Sequence, residues 1–166
     1  MDRIFLNVID WEQLHCDVYT LAEQVMRSDY VPDIIIGIGY GGIIPSTLFY
    51  FAHPEVEFRI AYPKSRANGY IEPLPGLDGK KVLLVDDLAI TGDSLGEIKK
   101  RIIEFGAAEL KSACLYCSQD HHDLDYFVRR IEPGERIVFP WYALKDSGHL
   151  KVFEYRDRFG KHEPIE

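Results

Sequence analysis

Val82-Leu83-Leu84-Val85-Asp86-Asp87-Leu88-Ala89-Ile90-Thr91-Gly92-Asp93-Ser94-Leu95 joins an apolar run, two carboxylates and a small-residue turn that opens a helix. Four consecutive aliphatics predict a strand buried on both faces, as in a parallel sheet covered by helices. Beyond the acids, Thr91-Gly92-Asp93-Ser94 supplies hydroxyls and a pliant backbone where a helix begins, so that N–H groups point at whatever sits above the strand end. Such a turn is suited to holding a phosphate.

The same logic occurs once more, upstream. Ile34-Ile35-Ile36-Gly37-Ile38 reads as a buried strand, ends in Gly39-Tyr40-Gly41-Gly42, and leads from Ile43 into a helix carrying Ile44, Leu48, Phe49 and Phe51-Ala52. Before it, Asp10 with Gln13 resembles a capping box, and Leu14, Val18, Leu21, Ala22, Val25 and Met26 follow helical spacing to about Arg27. Glu57 to Tyr62 alternates as a strand does. Pro63 to Lys81 holds three Pro, three Gly and no periodicity, which predicts a long mobile loop of the lid kind with Lys64 and Arg66 near its start. Downstream, a helix is expected from Asp93 to Phe105 with Leu95, Ile98, Ile102 and Ile103 inward and Gly106 at its end, then a strand from Ser112 to Cys117. Strands alternating with helices call for an open parallel α/β sheet with ligands at the carboxyl ends of the strands. Ser118 to Glu166 is polar, aromatic and strand-poor at first, and reads as an appendage rather than a second domain.

At 166 residues and 46% hydrophobic content the chain is expected to be one domain, burying about 70% of its unfolded surface. A net charge of -8 and a pI near 5.2 argue against a nucleic-acid or membrane surface. A phosphorylated ligand would need backbone amides, a few basic side chains and a divalent metal. No apolar stretch reaches 18 residues, and the chain opens on Asp2 and Arg3 rather than a signal sequence, so a soluble cytoplasmic protein is expected. Three cysteines form no disulfide framework. Cys114 and Cys117, followed by His121 and His122, invite a zinc or redox reading, but strand side chains three apart face opposite sides, which favours two buried thiols.

Three other uses of a strand ending in acids fit less well. A nucleotide-hydrolysing P-loop needs a Lys-Ser/Thr that the Gly37 to Gly42 turn lacks. A phosphoacceptor receiver places its acids on the first strand, whereas these come in mid-chain. Simple helix capping requires one acid and leaves Thr91-Gly92-Asp93-Ser94 unexplained. Four aliphatics, Asp-Asp, three variable residues, Thr-Gly, one residue and Ser instead resemble the phosphoribosyl-pyrophosphate signature of type I phosphoribosyltransferases. Gly39-Tyr40-Gly41-Gly42 is similar to that family's pyrophosphate loop. Asp125-Tyr126-Phe127 with Ile137-Val138-Phe139-Pro140-Trp141 is similar to the C-terminal hood of its small xanthine/guanine/hypoxanthine members.

The resemblance implies one domain over residues 1–166, with a core at about 30–117 and a hood at about 118–166. It implies transfer of 5-phosphoribosyl from phosphoribosyl pyrophosphate to a nitrogenous base, a 6-oxopurine first, with Mg²⁺ and as a homodimer. Asp86 and Asp87 would hold the ribose hydroxyls directly or through the metal. Ala89, Ile90, Thr91, Gly92, Asp93 and Ser94 would cradle the 5′-phosphate, and Tyr40, Gly41 and Gly42 the pyrophosphate, with Lys64 and Arg66 as electrostatic catalysts. Ile90, Cys117, Arg136, Ile137 and Trp141 would meet the base. The chain departs from the family at four places: Ile90 replaces an acid, Cys117 or Ser118 a lysine, Arg136 a stacking aromatic and Tyr40 a basic residue. The sugar-phosphate half is kept better than the base half, which leaves a transferase with a non-purine acceptor, or a regulator that senses the donor, as alternatives. The lid-like loop favours an enzyme.

Overall fold

The computed structural model describes residues 5–64, 73–119 and 123–141. Along the chain these form β1 (Phe5–Val8), α1 (Trp11–Met26), β2 (Ile34–Ile38), α2 (Gly39–Ala52), β3 (Glu57–Ala61), β4 (Lys81–Ala89), α3 (Asp93–Glu104), β5 (Glu109–Cys117), β6 (Tyr126–Arg130) and β7 (Glu135–Val138). The chain divides into two compact units, residues 15–131 and residues 1–14 with 132–166.

The larger unit is built on a five-stranded, all-parallel sheet in the order β3-β2-β4-β5-β6. β4 takes the centre because it is apolar on both faces: Val82, Leu83, Leu84 and Val85 are all fully buried. Four such side chains contribute roughly 6–12 kcal/mol relative to exposure. That offsets the several kcal/mol it costs to hold each of the next two residues, both carboxylates, away from water. On one face, Leu95, Ile98 and Ile102 of α3 pack on Ile34 and Ile36 of β2 and on Val82 and Leu84 of β4. Ile103, expected on that face, is 62% exposed. Leu95, Ile98 and Ile102 follow the three-and-four spacing of one helix stripe, and Ile103 lies a full residue step beyond it. Arg101 is buried in that region instead.

Three other expectations are corrected. The segment Gly39 to Gly42 is no turn preceding a helix but the first turn of α2 itself. The second half of the Pro63 to Lys81 stretch is anchored, since Leu74 and Leu77 are buried in the α3-side core; residues 65–72 lie outside the described residues. The supposedly strand-poor segment after Ser118 contributes β6, which pairs in parallel with β5 through Ala113↔Tyr126 and Cys117↔Arg130. Its half-buried residues give an edge strand no continuous apolar run to read. Within this unit α1 reaches the same edge, where the Gln24 side chain donates to Phe127 O at 3.0 Å.

In the smaller unit β1 and β7 form a two-stranded parallel sheet with Val8 opposite Val138. Asn7 donates to the buried Glu135 carboxylate at 2.8 Å. The expected cap is present: Asp10 Oδ1 accepts the Gln13 N–H at 2.8 Å. Phe139 stacks on Trp141 with centroids 4.5 Å apart.

Candidate functional site

Asp86 and Asp87 lie near the carboxyl end of the central strand, followed only by Leu88 and Ala89, and are 8% and 4% exposed. The Asp87 N–H donates to Asp86 Oδ1 at 2.9 Å, which ties the first carboxylate to the backbone of the second. Side chains alternate along a strand, so the two acids leave β4 on opposite faces. Asp87 points at the first turn of α2, and the approach there is close: a Cβ on Gly41 would stand 2.6 Å from Asp87 Cγ, and one on Gly42 2.6 Å from Val85 O. Only glycine allows that turn to sit against the strand. Asp86 pairs across to Cys114 of β5. Burial, and then the fields of Asp86 and Asp87, push the Cys114 thiol well above its ordinary value.

The turn after β4 comes next. Gly92 adopts a left-handed φ of 77° immediately before α3, a conformation costly for any residue with a Cβ. Gly96 N–H donates to Gly92 O at 2.7 Å, so this bond closes the first turn of the helix. The earlier N–H groups at its N-terminus have no intrahelical acceptor and face outward. Thr91 Oγ1 donates to Asp93 Oδ2 at 2.9 Å. An incoming phosphate would compete with Asp93 for that hydroxyl and for the positive end of the helix.

A third element meets the first two. Tyr40, in the first turn of α2, is 65% exposed and lies edge-on to Tyr62, with centroids 5.2 Å apart. Tyr62 O accepts from Arg101 Nη1 at 2.8 Å. The Lys64 N–H donates to both carboxylate oxygens of Glu97, at 3.0 and 3.2 Å. The start of the loop is thereby fastened to α3, with the Lys64 side chain exposed. Sequence reading missed Tyr62, Glu97 and Arg101. The one available signal was Glu97 standing three residues after Ser94, the spacing of an acid in a first helical turn. Arg66, His121 and His122 lie outside the described residues.

At the end of β5, Cys117 is fully buried and its thiol is raised by burial, an effect that Arg130 partly opposes. Cys114 and Cys117 are both buried free thiols, as expected, and share a small apolar cluster with Ala89. The Cys114 thiol leans along the strand to donate to Tyr116 O at 3.1 Å. Ser118 continues past β5, its N–H bonded to Ala89 O and its hydroxyl to Ile90 O, both at 2.9 Å. Ile90 and Cys117 are thus brought to neighbouring strand ends. Arg136, Ile137 and Trp141 belong to the smaller unit, where Ile137 is 1% exposed and Arg136 donates to Glu135 O at 3.4 Å.

Oxygen donors alone suit a hard cation, and Asp86 and Asp87 supply them. Among the described residues no cluster of three or more metal-ligating side chains forms. Since the two leave β4 on opposite faces, either carboxylate completed by substrate oxygens and water is a donor set that fits Mg²⁺.

A parallel sheet whose central strand ends in an acid pair, followed by a phosphate-suited helix start, defines the type I phosphoribosyltransferase architecture. The family model described as the phosphoribosyl transferase domain matches residues 7–143. The chain belongs to that family, an enzyme of the glycosyltransferase type. It is 29% identical to a xanthine-guanine phosphoribosyltransferase of Desulfotalea psychrophila over 80% of this chain and 84% of that protein. The solved purine phosphoribosyltransferase of Pyrococcus horikoshii is 31% identical, with a TM-score of 0.71 over 85% of this chain and 94% of that one. A transcriptional regulator of Methanococcoides burtonii, GfcR, is 26% identical over 62% of this chain and 53% of its own length.

Proposed function

We propose that the protein transfers the 5-phosphoribosyl group of phosphoribosyl pyrophosphate to a ring nitrogen of a 6-oxopurine and releases pyrophosphate. The observation that carries this reading is the buried Asp86–Asp87 pair with the glycine turn of α2 pressed against Asp87. Carboxylates accept hydrogen bonds from the ribose 2′- and 3′-hydroxyls and leave the sugar fixed while its anomeric bond breaks. The N-terminus of α3 and the Thr91 hydroxyl hold the 5′-phosphate. The first turn of α2 offers N–H groups to the pyrophosphate as it leaves with the bonding electrons, and the acceptor nitrogen then bonds to the anomeric carbon and sheds its proton to solvent. Mg²⁺ held by one of the two carboxylates, Asp86 or Asp87, together with substrate oxygens would stabilise the charge on the departing pyrophosphate. Lys64 and Arg66 are proposed to add positive charge there. A cytoplasmic homodimer is part of the same proposal and rests on the family.

Calorimetry with phosphoribosyl pyrophosphate and Mg²⁺ is expected to show binding that Asp87→Asn weakens about tenfold or more, the size of a lost charged hydrogen bond. Absence of binding by the native protein would refute the site. Pyrophosphate release is then followed with hypoxanthine, guanine, xanthine, adenine and uracil. Release with the oxopurines is the expected result. Donor binding without release for any acceptor would point instead to a regulator, as the Methanococcoides burtonii relative is named.

A further inference from the structure

Pro63 has no N–H to offer, so the first backbone donor beyond Tyr62 at the exit of β3 is that of Lys64. Glu97 of α3 takes it with both carboxylate oxygens, at 3.0 and 3.2 Å. One helical turn further along, Arg101 Nη1 donates to Tyr62 O at 2.8 Å. Residues four apart share a helix face, so the carboxylate and the guanidinium grip the chain on either side of Pro63, each with the charge that suits the group it meets. Pro63 itself is buried, its ring fixes φ at about −65°, and the residue before a proline is held extended. The direction in which the chain leaves β3 is thereby set at three consecutive residues.

The helix does not need Glu97 for its own start, since the Gly96 N–H already closes the first turn onto Gly92 O. The carboxylate reaches instead to a residue 33 positions away. Tyr62 also lies edge-on to Tyr40 in the first turn of α2, so the gripped segment stands beside the turn that offers N–H groups to the pyrophosphate. Lys64 begins no more than about 7 Å along the chain from Tyr62, and its exposed side chain adds the length of a four-carbon stem. An ammonium on a loose backbone must order both the chain and its own stem to meet an anion, whereas a fixed backbone leaves only the stem.

Resting on the transferase reading above, we propose that Glu97 is a positioning residue: by fixing the backbone of Lys64 it holds the ammonium against the pyrophosphate that leaves from the first turn of α2. Glu97 touches no substrate and acts through Lys64. The test is a double-mutant cycle on Lys64→Ala and Glu97→Ala, with Glu97→Gln as the conservative variant. Pyrophosphate release is measured in the steady state with phosphoribosyl pyrophosphate, Mg²⁺ and whichever of hypoxanthine, guanine, xanthine, adenine and uracil the native protein uses best. Lys64→Ala is expected to lower kcat about a hundredfold, the scale of one lost electrostatic donor. Glu97→Ala is expected to lower kcat about tenfold, because the ammonium is loosened rather than removed, with the donor KM and the melting temperature near native. Glu97→Gln, whose amide oxygen still accepts the Lys64 N–H, recovers most of the rate. In the Lys64→Ala background Glu97→Ala lowers kcat no further, since the group it positions is gone. Should Glu97→Ala fail to fold, the cycle is run with Glu97→Met. Losses that multiply in the double variant, or an unchanged kcat in either single variant, would overturn the assignment while leaving the transferase reading intact. Native protein that releases pyrophosphate with no acceptor would overturn both.

Discussion

Replacing Gly41 with alanine sets two effects of opposite sign against each other. Gly41 lies inside α2, and alanine in a helix interior is favoured over glycine by about 1 kcal/mol. Against that, the new Cβ would fall 2.6 Å from Cγ and 2.7 Å from Oδ2 of Asp87. Asp87 is short, 4% exposed and carried by the central strand, so it has little room to yield. Overpacking of this kind costs about 1–3 kcal/mol. The net loss of stability is then about 0–2 kcal/mol, a fall in melting temperature of no more than about 8 °C for a chain of this size. Donor binding is hit harder, because the carboxylate itself is displaced. Loss of a charged hydrogen bond costs about 1.5–3 kcal/mol, roughly ten- to a hundredfold in affinity. Gly96→Ala supplies the control: it is a helical glycine with nothing within 4 Å of an added Cβ. That variant is expected to melt about 2–4 °C higher and to bind donor normally. The measurements are differential scanning calorimetry and titration calorimetry with phosphoribosyl pyrophosphate and Mg²⁺. If Gly41→Ala is stabilised as Gly96→Ala is, with native donor affinity, the contact between α2 and Asp87 does not shape the site.

Tyr116 hydrogen-bonds through its hydroxyl to Asp17, both residues being buried. Tyr116→Phe is expected to lose about 1–3 kcal/mol in denaturant titrations, with donor affinity unchanged; weaker donor binding would show that the pair supports the site as well as the fold. Burial acts to raise the Asp125 carboxyl, but hydrogen bonds from Lys111 and Ser112 outweigh it and hold the group below its ordinary value. A carboxyl that binds its proton more weakly when folded stabilises the native state above its unfolded pKa, and that contribution is lost as pH falls through the folded pKa. Melting temperature measured downward from pH 5 is therefore expected to fall less steeply for Asp125→Asn than for the native protein, and parallel curves would count against the interaction.

Local pattern was enough for the elements whose environment is uniform. Ile34–Ile38 is apolar throughout and forms β2 over those same residues, because a strand buried on both faces needs no alternation. The acid pair and the Thr91 to Ser94 turn are only three residues apart in sequence, and their places near a strand end and at a helix start followed from that. β1 and β6 were not legible. Phe5–Val8 has only four residues, and Tyr126–Arg130 is half-buried at an edge, so neither carries a periodic signal strong enough to stand out. Ile103 was misplaced by assuming that every aliphatic in α3 faces the core, when the stripe admits Leu95, Ile98 and Ile102.

The sequence alone determined the chemistry that one turn of chain can carry: two carboxylates after an apolar strand, then hydroxyls and a pliant glycine at a helix start. Those features depend on residues within a dozen positions of one another, and local backbone geometry orients them. Tertiary structure alone decided which distant groups join them. Gly41 meets Asp87 only because β2 and β4 pair in the sheet. The Lys64 N–H meets Glu97 only because the exit of β3 is brought against α3, 33 residues further on in the numbering. Strand order is settled by how the buried faces of the whole sheet are covered, a balance summed over the core that no single stretch of sequence contains.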